Sequence, residues 1–144
     1  MRQETSRISA VCGTVLAGLP LVLPFVFMLL SLPAGRSVRF DYLMPGELFA
    51  SALVGGIGIL TAALVGRRLR VAAGVALALV ASLFVLVGIA AEATGLASGA
   101  TRPEGWPLAL VAGAYGLYVL AVIAQCVVGV LLCRRLFAPG RQPA

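Results

Sequence analysis

Histidine, lysine and asparagine are absent from this chain, and only five residues are acidic. Without histidine there is no imidazole for general base chemistry, b-type haem ligation or typical zinc catalysis. Without lysine there is no amine for a Schiff base. No Gly-x-Ser-x-Gly elbow and no phosphate-binding glycine loop interrupts the sequence. Three cysteines occur, with no Cys-x-x-Cys pair, so dithiol exchange of that spacing is excluded. Cys126 and Cys133 lie seven residues apart, about 10.5 Å by helical rise, which is too far for a disulfide. Buried structural thiols are the expectation for all three. These absences leave no catalytic residues, cofactor site or metal site to name, and the chain reads as no enzyme.

Charge is scarce as well. Charged residues make up 11% of the 144 residues against 61% hydrophobic, with mean hydropathy +1.08. Soluble domains carry about 25% charged residues, so this composition cannot clothe a water-facing surface. What is present instead is four apolar runs, at about 8–32, 48–66, 71–93 and 107–133, each of roughly the 20 residues that cross a hydrocarbon core as a helix. The expected fold is an all-α membrane protein, a single domain over 1–144 with four transmembrane helices in an antiparallel bundle.

Every basic residue is arginine, and the arginines sort by segment. Arg2 and Arg7 precede the first run, Arg67, Arg68 and Arg70 separate the second from the third, and Arg134, Arg135 and Arg141 follow the fourth. Only Arg36, Arg39 and Arg102 fall in the other two connections. Eight arginines against three place both termini and the short middle connection in the cytoplasm. The +6 net charge is therefore a topology signal rather than a nucleic-acid footprint, since it is not gathered on a soluble face. The all-arginine, Ala/Val/Leu/Gly-rich composition suits a high-GC bacterial genome, hence a bacterial inner membrane. The first run is too long for the apolar core of a signal peptide, which is usually about 7–15 residues, and it reads as a retained helix. Pro20 and Pro24 each remove a backbone donor from its middle and predict a bend.

Four of the five acids, Asp41, Glu47, Glu92 and Glu104, fall at the outer edge in this topology. Arg39, Asp41, Glu47, Glu92 and Arg102 form a candidate outer polar cluster, with Glu47 and Glu92 expected at similar depth on neighbouring helices. One reading makes the cluster a site for a cation, proton or small solute. The other places Glu47 in the first turn of its helix, against orphan N–H groups, with Glu92 paired to Arg102 or wetted by interfacial water. Helix-end electrostatics explains the placement without a ligand, and neither acid is deep. The string from Arg36 to Phe49 mixes charges, aromatics and a Pro-Gly break, and is expected to lie along the interface or to dip back into the bundle.

Inside the runs the signals concern packing. Ser51, Gly55 and Gly58, with Ala52 and Gly56, give overlapping small-xxx-small spacings that let helices approach closely. Ala112 and Gly116 repeat the spacing in the fourth run. Tyr118, Gln125 and Gly129 fall near one helical face, and the Gln125 amide requires a partner across a helix interface. The expected partners are the lipid bilayer and a membrane protein or a second copy of the chain, with no nucleic acid. The leading function is a small accessory or structural subunit packing beside other membrane proteins. The alternative is an oligomeric small-solute or ion permease with an acidic outer entrance.

Overall fold

The computed structural model describes residues 2–31, 46–99 and 104–137. These form four α-helices, α1 (Arg2–Ser31), α2 (Gly46–Val65), α3 (Arg70–Ala93) and α4 (Trp106–Phe137), with no strand among the described residues. Three of them, α1, α3 and α4, contain stretches long and apolar enough to cross a membrane, and the apolar stretch Phe49–Val65 of α2 is shorter. Two helices outrun the apolar runs that specify them. α1 begins six residues before Ile8, and α4 continues four residues past Cys133. The extra residues of α1 are mostly polar or charged, and those of α4 are Arg134, Arg135, Leu136 and Phe137, so both helices extend beyond their apolar lengths.

Local chemistry sets the ends. Pro107 stands second in α4, where its missing N–H and fixed φ cost nothing. α3 stops at Thr94, whose hydroxyl donates to the carbonyl of Ala90 at 2.7 Å, and the chain then turns through Gly95 at φ 71°. Glycine pays no Cβ penalty in that left-handed geometry. The other turn is built differently. The Arg68 N–H bonds the Ala63 carbonyl and the Arg67 N–H bonds that of Leu64, the two bonds of a Schellman C-cap. Its left-handed position is occupied by Arg67 at φ 53°, and Leu69 follows at φ 55°.

The helices form a ring in which α1 packs on α2 and α4, and α3 packs on α2 and α4. The α1–α2 contact is the most extensive. On α4 the buried positions Val111, Tyr118, Gln125 and Leu132 recur every seven residues, with Val122 and Gly129 between them. This is the 3.5-residue seam of helices crossing at a shallow angle. On α1, Ser6, Ala10, Gly13 and Ala17 follow the same spacing and are buried. The interior divides into one cluster around Ala10, Ile59, Ala62 and Leu132 and another around Ala52, Val80, Tyr118 and Val122. Outward-facing Val, Leu and Ile cover the opposite faces of all four helices. In a bilayer both sides of a helix are apolar, so small residues and shape, rather than hydrophobic contrast, select the buried side.

Candidate functional site

The acidic edge comes first. Glu47 occupies the second position of α2, in its first turn, and Glu92 is exposed near the end of α3. Arg39, Asp41 and Arg102 lie outside the described residues, as does the string from Arg36 through Pro45. The ring of Phe49 on α2 stacks on that of Phe84 on α3, with centroids 3.5 Å apart and planes 4° from parallel. Glu47 is two residues from this level and Glu92 eight. At 1.5 Å per residue the two positions differ by roughly 9 Å or more along the helices, whichever way these run. This is an offset of backbone positions along the α2–α3 pair.

The seam between α1 and α2 is built from glycine and serine. A Cβ on Gly55 would fall 2.7 Å from the Gly13 carbonyl oxygen, and one on Gly58 would lie 3.1 Å from the Gly13 Cα. Backbone thus meets backbone, which is possible only without side chains at these points. Ser6 Oγ donates to the Ala62 carbonyl at 3.2 Å, and Ser9 Oγ donates to that of Gly58 at 3.0 Å. Ser9 and Thr61 also share a hydrogen bond at 3.1 Å. Ser51, one turn before Gly55, is half-buried. The α1 half of this seam escaped notice in the sequence. Its signal, Ser6-xxx-Ala10-xx-Gly13-xxx-Ala17, was present and matched the small residues recognised on α2.

Gln125 is 1% exposed at the centre of α4. Its Nε2 donates to the Ala52 carbonyl at 2.9 Å, which ties α4 to α2. Ala52 lies one turn before Gly56, so a side chain at Gly56 would cover that carbonyl. A Cβ there would sit 2.9 Å from the Gln125 Nε2. The Gln125 Oε1 is buried with no hydrogen-bond partner among the described residues. One turn on, Gly129 admits Thr14 of α1 against the α4 backbone. Tyr118, on the same buried stripe, meets Phe84 with ring centroids 6.1 Å apart and Tyr115 at 6.0 Å.

One end of the bundle gathers the arginines. A Cβ on Gly66, at the end of α2, would lie 3.2 Å from Leu136 Cδ2 and 3.5 Å from Ser6 Oγ. The start of α1, the α2–α3 turn and the end of α4 therefore meet, bringing Arg7, Arg67, Arg68, Arg70, Arg134 and Arg135 to one rim. Arg7 donates from Nε to the Leu136 carbonyl at 3.1 Å, and its guanidinium carbon stands 5.1 Å from the Phe137 ring centroid. It thereby meets an orphan carbonyl and the negative end of α4 at once.

Cys126 and Cys133 are half-buried, whereas Cys12 is exposed, so the expectation of buried thiols fails at Cys12, which lies on the outward side of α1. No group of histidine, cysteine, aspartate and glutamate among the described residues could hold a metal ion. The chain matches no family model, no curated protein and no solved structure. Fold and site together define an all-helical protein with three helices apolar enough to cross a membrane and an interior joined by glycine contacts and single hydrogen bonds.

Proposed function

We propose that this chain is a small integral membrane subunit whose role is to pack beside the helices of another membrane protein, without chemistry of its own. The carrying observation is the contrast between two sets of glycines. Gly13, Gly55, Gly56 and Gly129 are filled by neighbouring helices, while Gly88 on α3 and Gly113 and Gly116 on α4 have nothing within 4 Å of the place a Cβ would take. Ala109, Gly113, Gly116 and Leu120 all face outward along one side of α4. A bare small-residue face is where a further membrane helix approaches closely.

The interior supports packing over permeation. Ser6 and Gln125 are the buried polar side chains among the described residues, and each donates to an α2 carbonyl. The permease reading would place Glu47 and Glu92 at one entrance, whereas their backbone positions stand roughly 9 Å or more apart along the α2–α3 pair. The topology proposed is an antiparallel four-span bundle in a bacterial inner membrane, with both termini cytoplasmic. It is supported by the pairing of Ser6 with Ala62 and of Gly13 with Gly55, and by the arginine rim.

The test is cross-linking in the native membrane from Gly116→Cys, in a chain whose own cysteines are replaced. The reading predicts an adduct with a second, distinct polypeptide. Replacing both Glu47 and Glu92 by Gln is expected to leave growth and assembly unchanged, and loss of solute uptake with normal assembly would favour the permease instead.

A further inference from the structure

A groove of 560 Å³ runs along the outward side of α1 where it meets the end of α4, lined by Glu4, Arg7, Ile8, Val11, Cys12 and Phe137. Its walls are of two kinds. Ile8, Val11 and Phe137 are apolar and exposed, Ile8 by 65%. Glu4 and Arg7 carry opposite charges one turn apart at the rim end. Each has an ordinary structural explanation, Glu4 at the positive start of α1 and Arg7 at the negative end of α4. That explanation does not account for both charges opening onto the same apolar trough.

Arg7 is held in place. Its Nε–H goes to the Leu136 carbonyl and its guanidinium lies over Phe137, so the Nη donors are presented at a fixed position. Planar N–H pairs of this kind match phosphate oxygens. Glu4 is exposed and takes no part in an ion pair with Arg7 among the described residues. Its carboxylate stands available to a cation carrying N–H donors. Below both, Ile8 and Val11 continue as an apolar track of the kind an acyl chain covers.

We propose that this groove binds a zwitterionic aminophospholipid of the surrounding leaflet, with its phosphate on Arg7, its primary ammonium on Glu4 and an acyl chain along Ile8 and Val11. The lining is balanced in charge, which favours a zwitterion over an anionic lipid at this point, although arginines dominate the rest of the rim. The ammonium must carry N–H donors to bond the carboxylate, so a trimethylated headgroup of the same net charge fits less well. The inference rests on the chain being embedded in a membrane but not on its having a protein partner.

The experiment is native mass spectrometry of the full chain in mild detergent with synthetic phosphatidylethanolamine, phosphatidylcholine and phosphatidylglycerol of identical acyl chains. Phosphatidylethanolamine is expected to bind about fivefold more tightly than phosphatidylcholine, the ratio expected of one exposed charged hydrogen bond. Glu4→Gln, a change at an exposed residue, is expected to abolish that difference while leaving phosphatidylcholine binding as it was. Arg7→Gln is expected to weaken both. Equal binding of the two zwitterions, tighter binding of phosphatidylglycerol, or a preference that survives Glu4→Gln overturns the proposal. The isolated chain is measured without any partner, so these results leave the packing role untouched. Recovery of the chain outside the membrane fraction would overturn both.

Discussion

Gly13 and Gly55 face each other so closely that a Cβ on Gly13 would lie 2.8 Å from the Gly55 carbonyl oxygen, and a Cβ on Gly55 would lie 2.7 Å from that of Gly13. The obstruction in each case is backbone, which cannot rotate away as a flexible side chain can. α1 and α2 must therefore separate when either position gains a methyl group. Gly55→Ala is expected to destabilise the bundle by about 1–3 kcal/mol, the range for overpacking a close contact. Denaturation in mixed micelles, followed by Trp106 fluorescence, measures it. Gly113→Ala, where nothing lies nearby, serves as the control with little change expected.

Gln125 and Gly56 make a second pair whose effects should not add. Gly56→Ala places a methyl group against the Gln125 amide and against Leu77 Cδ1, 2.6 Å from the added carbon. Gln125→Ala removes the amide and its bond to Ala52, and also removes the unpartnered Oε1. The cost of Gly56→Ala is expected to be smaller by about 1 kcal/mol when Gln125 is already Ala, because contacting residues couple by about that amount. A double-mutant cycle in the same denaturation assay reads the coupling, and additivity within error would contradict the contact.

The left-handed positions show a third relationship. Gly95, Gly99 and Gly105 occupy three of them, but Arg67 and Leu69 occupy those in the α2–α3 turn. A non-glycine residue there costs about 1 kcal/mol or more. Arg67→Gly is therefore expected to raise stability by about 1 kcal/mol, while Arg67→Ala should not. The same change removes one charge from the rim that sets orientation, so a reporter of topology is expected to show weaker orientation in Arg67→Gly, not stronger.

Cys12 is exposed, whereas Cys126 and Cys133 are half-buried, and Cys133 Sγ lies 3.9 Å from Thr14 Oγ1. A membrane-permeant maleimide is expected to label Cys12 first, and Cys12→Ser should remove the fast phase. A fast phase that persists would place a second thiol on the surface.

The helices were legible because their runs are long and apolar, and hydropathy needs no partner information. The α2 seam was legible at Gly55 and Gly58, since small residues at helical spacing stand out among leucines. Its α1 half was missed because Ser6 and Ser9 look like a polar start and the pattern carries one glycine, Gly13, where α2 carries several. Which glycines are covered could not be read at all. Gly56 and Gly116 carry the same local signal, yet one meets Gln125 and the other meets nothing. The backbone offset between Glu47 and Glu92 was not legible for a related reason, because register depends on which aromatic rings stack. The left-handed Arg67 also escaped, since a Schellman cap normally announces itself by glycine.

The central claim is that the bare face of α4 is covered by a helix of another protein. Cross-linking from Gly116→Cys in the native membrane, in a chain lacking Cys12, Cys126 and Cys133, tests it most directly. The account predicts an adduct with one distinct membrane polypeptide, lost when Gly113→Leu fills the face. An adduct only with a second copy of the chain, or none above the control Ile57→Cys on the outward face of α2, would contradict it.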